Sequence, residues 1–209
     1  MRGRSNCEQV RFFDDLTHYR RDESGEKRRP FKLLYLPEAG MNTNGVESVR
    51  SLEMHATTVP AKFLVSSYNY RQAPNLIEAS EEIYTEDGDH TAHGEAYFFG
   101  LPILTEDDAK REALLRQEEA LSGQIEYRGT GDGLDVTSGA VVAFTNHTLP
   151  DAEHGLLIKS TKRSASRKQR FKVEFTAMPC DRLYRMPIDE SKWPRFYGVR
   201  TAVIASTKD

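Results

Sequence analysis

Between residues 124 and 177 the chain never keeps one pattern for long. "QIEYRG", "GLDVTSGAVVAFTN", "GLLIKST" and "RFKVEFTA" are β-prone runs, each cut off by Gly, Asp, Asn or Pro. The last alternates cleanly, with Phe171, Val173, Phe175 and Ala177 on one side and Lys172, Glu174 and Thr176 on the other. Several short strands with glycine turns and a single helix-length pattern point to a compact antiparallel β-barrel, a mainly β chain with one clear helix. Upstream, "FKLLYLP" (31–37) and "VESVRSLEMHA" (46–56) read as strands around the turn-rich "EAGMNTNG", while the mixed charges of "RRDESGEKRRP" within residues 1–30 read as exposed loop. In "KFLVSSYNYR" (62–71), Phe63 and Val65 share one face and Tyr68 and Tyr70 the other, an arrangement expected to need a bulge or bend.

The helix spans 105–121, "TEDDAKREALLRQEEAL". Thr105 is a good N-cap, Glu106, Asp107 and Asp108 favour the positive end of the helix dipole, and Ser122-Gly123 supplies a stop. Its apolar stripe is narrow: Ala109, Ala113, Leu114, Ala120 and Leu121. Such a helix lies on a surface, and its alanines allow close approach to a sheet or to a neighbouring subunit.

Composition narrows the chemistry. With 38% hydrophobic and 29% charged residues the 209-residue chain is globular, with room for one good core or two small ones. A net charge of -3 and a pI near 6.1 give no global attraction to nucleic acid or to anionic lipid, and no run approaches the length of a spanning helix. Stable membrane insertion and a dedicated nucleic-acid partner are both disfavoured. Cys7 and Cys180 form no paired motif, which suits a reducing compartment, and the amino terminus lacks the apolar core of a signal peptide.

Candidate catalytic constellations have bland counterparts. "DHTAH" (His90, His93) and "HTLPDAEH" (His147, Asp151, His154) have ligand-like spacing but sit in turn-rich sequence, so no metal or other cofactor is expected. The acidic run "EASEEIYTEDGD" reads as a solvated face, although counting alone leaves open a glycosidase-like carboxylate pair. "GTGDG" (129–133) is a glycine-rich turn without the Lys-Ser/Thr or following helix of a phosphate loop, and no serine lies in a nucleophile elbow. No catalytic residue is assigned, and the chain is not expected to be an enzyme. "KSTKRSASRKQRFK" (159–172) reads as a hairpin with a basic tip carrying Arg163, Arg167 and Lys168. It serves either as a solvated turn that protects a sheet edge or as a charged contact, ranked first with an acidic neighbour such as 78–89 of another protomer and second with nucleic acid.

The motif order resembles a known family. "RFKVEFTAMP" followed by "RLYRMPIDESKWPRFYGVRTAVIA" is similar to the end of the hub region in VgrG proteins of type VI secretion, where a tether leads into the first strand of a spike OB-fold. "LVSSYNYRQAPNLI", "YFFGLPILTEDDAKREALLRQEEAL" and "VTSGAVVAFTNHTLPDAEHGLLIKSTKRS" follow that family's order, which is shared with late control protein D and other baseplate hubs of contractile-tailed phages. Asn69 stands at a usually acidic position, and Gly198-Val199-Arg200-Thr201 replaces the commoner Gly-Pro-Gln-Thr.

The resemblance implies small antiparallel barrels of the phage baseplate hub type. Residues 1–60 would be the remainder of a first hub barrel, 61–181 a second barrel with the helix, and 182–209 a tether and first spike strand. The chain would thus begin partway through one barrel and stop where the spike begins. The implied role is a homotrimeric adaptor between a hexameric, Hcp-like tube protein and a threefold spike with its tip protein and effectors. Such a protein is assembled in the bacterial cytoplasm and injected without a signal peptide. Expected interface residues are Tyr68, Tyr70, Ala109, Ala113, Leu114, Arg163, Arg167 and Lys168. The expected tether comprises Arg182, Tyr184, Arg185, Pro187, Trp193, Pro194, Gly198 and Thr201, with prolines stiffening it and Tyr184, Trp193 and Phe196 gripping the hub. A cell-wall hydrolase is the rival from another class.

Overall fold

The computed structural model describes residues 15–23, 28–37, 45–69, 76–84, 91–167, 171–194 and 198–199. Strands β1 (Phe31–Tyr35), β2 (Ser48–Ala56), β6 (Ile125–Gly131), β7 (Val141–Thr145), β8 (Leu156–Ser164) and β9 (Lys172–Pro179) close a six-stranded barrel in the order β1-β2-β6-β9-β8-β7. Strands β3 (Lys62–Tyr68), β4 (Leu76–Glu82) and β5 (Glu95–Phe99) form a separate sheet ordered β4-β3-β5. Helix α1 (Glu106–Gln124) packs on that sheet and leads directly into β6, and a short helix α2 (Pro150–His154) joins β7 to β8.

The mainly β class with one substantial helix holds, but not every barrel seam is antiparallel. Strand β1 runs parallel to both β2 and β7, and only the other four seams are antiparallel. Parallel neighbours are buried from both sides. Accordingly Val142 and Phe144 of β7 face the barrel core, while Val141 is covered outside by Tyr19, Leu157 and Met178.

The expected division at residue 60 does not coincide with a break in packing. Strands β1 and β2, assigned by sequence to a first barrel, close the same barrel as β6 to β9, because their apolar faces (Leu33, Val49, Leu52) meet Tyr127, Phe144, Val173 and Phe175 in one core. Residues 62–124 are an excursion between β2 and β6 that builds the second layer.

The clean alternation in β9 is realised: Val173, Phe175 and Ala177 are inside, and Phe175 stacks on Phe144 at 5.7 Å. The glycines of "GTGDG" also belong to this core rather than to an open turn. A Cβ on Gly129 would lie 2.3 Å from Phe175 Cζ, and one on Gly131 would lie 2.4 Å from the Ser48 carbonyl oxygen. Both are strand positions where another chain segment occupies the side-chain space.

Candidate assembly surface

Register builds the outer face of the β4-β3-β5 sheet residue by residue. Lys62 lies between Glu82 and Glu95, Leu64 between Ser80 and Tyr97, and Ser66 between Glu78 and Phe99, while Tyr68 stands opposite Leu76. Strand β3 pairs without a register break, so the expected bulge is absent: odd and even positions already point to opposite faces. Tyr68 (54% exposed), Leu76 (52%), Tyr97 (55%) and Phe99 (61%) therefore display large apolar groups to solvent, and the Tyr97 and Phe99 rings stack 6.3 Å apart. Around them sit Glu78, Glu82 and Glu95, with one cation, Lys62, 3.5 Å from Glu82.

The two sheet edges differ. At the β4 edge the Glu82 carbonyl accepts a hydrogen bond from Gln117 of α1 at 2.7 Å. Strand β5 has no strand partner on its far side among the described residues. An edge bordered by exposed aromatics is a template for another chain. Tyr68 was expected here from sequence, whereas Tyr97, Phe99 and Leu76 were not. The period-two placement of Glu95, Tyr97 and Phe99 on one face lay inside a segment read only for its place in the family's motif order.

The opposite face of the sheet belongs to the helix. Thr105 caps it through a hydroxyl that accepts from Asp108 N, as expected, but the helix continues past Ser122-Gly123 to Gln124. Ala109 and Ala113 are fully buried against Val65, Ile77, Ala79, Leu101 and Ile103 of their own chain. Their expected role at a subunit interface is thus replaced by an internal contact, and only Leu114 of that set is exposed. The Arg116 guanidinium lies 4.5 Å over the Phe98 ring and pairs with Glu112 at 3.0 Å.

The basic hairpin forms, with β8 and β9 paired as far as Ser164 and Lys172. Its charges have divided roles. Arg163 donates to the Val136 carbonyl at 2.8 Å and to the Leu134 carbonyl at 3.3 Å, so it ties the loop before β7 to the barrel. Lys159 pairs with Glu126, and Lys172 with Glu174 at 2.9 Å, whereas Arg167 is exposed. Lys168 and Tyr70 lie outside the described residues.

The tether is held mainly by polar contacts. Arg182 donates to the Leu121 carbonyl (3.2 Å) and to Gln124 Oε1 (2.6 Å), Arg185 pairs with Glu118 at 2.6 Å, and Ile188 N donates to Glu119 Oε1 at 2.8 Å. Tyr184 N donates to the Tyr19 hydroxyl, and Lys159 Nζ sits 5.8 Å above the Tyr184 ring. Of the expected aromatic grips, Tyr184 packs with Leu183 against the Tyr19–Val141–Met178 cluster. Pro187 and Pro194 are exposed, Trp193 is 40% exposed, Gly198 has φ 111°, and Phe196 and Thr201 lie outside the described residues.

One of the two histidine-bearing constellations has structural uses. His147 Nδ1 accepts from Leu149 N while its ring meets Tyr35 edge-on, and Asp151 accepts from the buried Tyr127 hydroxyl at 2.8 Å. His93 is exposed, and His90 lies outside the described residues. Among the described residues no three His, Cys, Asp or Glu side chains gather to hold a metal ion.

The sequence profile of the phage tail baseplate hub (GPD) family matches residues 5–169. This chain belongs to that family. No curated protein matches it. Among solved structures, the 43 kDa tail protein of prophage MuSo2 from Shewanella oneidensis shares 13% identity at a TM-score of 0.52, over 78% of this chain and 47% of that one. The tail protein from Neisseria meningitidis MC58 shares 8% at 0.50, over 75% and 45%. The E. coli c3393 protein, a component of the type VI secretion system, shares 16% at 0.40, over 79% and 30%. The chain thus spans about half the length of the two tail proteins, whose likeness is one of fold. The baseplate hub family is structural rather than enzymatic.

Proposed function

We propose that this hub protein is a structural adaptor of a contractile injection machine. Three copies form a ring that meets a hexameric, Hcp-like tube ring on one side and a threefold spike on the other, and the machine delivers effectors by puncture. The observation that carries this is the solvent-facing row of Tyr68, Leu76, Tyr97 and Phe99 beside the edge of β5, which has no strand partner among the described residues, an apolar surface that a lone subunit has no reason to display. The strapped course of residues 182–188 along α1 supports the tether reading, since a fixed exit direction is what a following spike module requires. Obligate assemblies of this kind hide interfaces above about 2,000 Å². Sedimentation velocity on the chain tests it: a trimer is expected, and a stable monomer at micromolar concentration refutes it.

The VgrG-like version of this reading rests on the order of the carboxy-terminal motifs, and a phage or prophage tail hub is favoured by the family match and by the fold shared with two tail proteins. In both, the protein assembles in the bacterial cytoplasm and leaves with the contractile apparatus. An antibody against the chain separates them. The tail version puts the protein in particles released on prophage induction, and the secretion version puts it in the medium of uninduced cells with a working contractile sheath.

A further inference from the structure

We propose that copies of this chain join head to tail, with the basic β8–β9 hairpin of one copy seated on the acidic, aromatic β4-β3-β5 face of the next. The inference rests on the hub reading and names the contact that would build its ring. The outer face carries Glu78, Glu82 and Glu95 against Lys62, a surplus of two negative charges around Tyr68, Tyr97 and Phe99. On the outer side of the hairpin, Lys162 stands opposite Glu174 and Ser164 opposite Lys172, and Arg167 follows at the tip, a surplus of two positive charges. The charges of the two patches are therefore complementary, and each patch is repulsive towards itself.

Strand pairing adds a second match. Strand β9 follows β8 as far as Ser164, but β7 pairs with β8 only at Leu156 and Leu157, so the distal half of β8 extends beyond the closed wall. Part of that flank is taken by Ser138, which donates to the Lys159 carbonyl, and by Arg163 reaching the 134–136 loop. The hairpin is thus stiffened from within while Lys162, Ser164 and Arg167 face out. Strand β5 of the next copy offers an edge with no strand partner among the described residues and with aromatic groups beside it. A contact of the sheet face with its own copy would set three glutamates against three, whereas a head-to-tail contact uses both patches on every copy and gives a ring where its rotation closes.

Charge reversal tests the contact in the full chain. Lys162→Glu with Arg167→Glu, or Glu78→Lys with Glu95→Lys, should each weaken self-association by about tenfold or more in sedimentation dilution series at physiological salt. The quadruple variant should restore it. All four side chains are exposed, so melting temperatures of the variants serve as the folding control. A wild-type trimer whose mass neither reversal changes overturns this contact and leaves the hub reading standing, while a monomeric wild type sinks the hub reading itself. Reversals that abolish binding to a tube-ring protein while leaving the trimer intact would assign the face to the tube and also refute the self-contact.

Discussion

Arg182→Ala tests whether the tether is anchored where the hydrogen bonds place it. Helix α1 ends at Gln124 with no basic residue in its last turn, so its terminal carbonyls lack both intrahelical partners and a cation. Arg182 supplies both, through the Leu121 carbonyl and Gln124 Oε1. Hydrogen bonds from a charged donor contribute about 1.5–3 kcal/mol when partly shielded, and since Arg182 is half-exposed the lower end applies to the pair, about 2 kcal/mol. At about 1.4 kcal/mol per tenfold, the strap should open roughly thirtyfold more often. Local opening of 182–188 leaves the barrel intact, so the loss belongs in amide exchange rather than in the global transition. Tyr184 N and Ile188 N, bonded to the Tyr19 hydroxyl and Glu119, are the reporters. Arg182→Lys, which keeps the charge but loses the planar fork, should fall between wild type and alanine. Unchanged exchange at both amides in Arg182→Ala would show that the Arg185–Glu118 pair and the packing of Leu183 and Tyr184 hold the strap without Arg182, and would refute this account.

Three further outcomes follow from the packing. Gly129→Ala forces a Cβ into the Phe175 ring, already stacked on Phe144, and should cost about 1–3 kcal/mol, seen as a melting point several degrees lower; an unchanged transition would return "GTGDG" to the loops. Ala113→Leu should destabilise by a similar amount in urea even in monomeric protein, since the alanine meets its own sheet, and a loss of assembly without loss of stability would restore the interface role expected from sequence. Burial, reinforced by the hydrogen bond to Asp151, raises the Tyr127 pKa above the ordinary tyrosine value. The protonated phenol is therefore favoured in the fold, so its stabilisation is complete below about pH 10 and is lost as pH rises towards the folded value. Tyr127→Phe should lose about 1 kcal/mol at neutral pH and show a shallower alkaline decline, with Tyr19, also raised chiefly by burial, retaining part of it; an identical alkaline limb would refute the assignment.

The strands of the barrel were legible in the sequence because their signals are local. Val173, Phe175 and Ala177 alternate within one segment, and Thr105 with three acidic neighbours announces the start of α1. A barrel was expected, but the seam that closes it was not legible, because it depends on β1 finding β7 more than a hundred residues away in parallel register, Phe31 beside Val142 and Leu33 beside Phe144. No turn chemistry between adjacent segments encodes such a pairing, and so the boundary near residue 60 was drawn through a single core. Polar anchoring of the tether was hidden for a related reason. Arg182 and Arg185 look like generic surface cations until α1 is seen to end beside them with Leu121, Gln124 and Glu118 in reach.

The alanine stripe shows how the site itself was half-visible. Ala109 and Ala113 state that something approaches α1 closely, but not whose surface it is. Strands β3 and β4 decide the matter by alternation: Val65, Ile77 and Ala79 point to one side and are covered there by Ala109 and Ala113 of α1 together with Leu101 and Ile103. Once α1 takes that side, Tyr68, Leu76, Tyr97 and Phe99 are left on the other with no element of the described chain to cover them. The surface proposed for assembly is therefore a consequence of how the helix packs, and on that proposal a substitution that loosened α1 from the sheet is expected to disturb self-association without touching any residue of the contact.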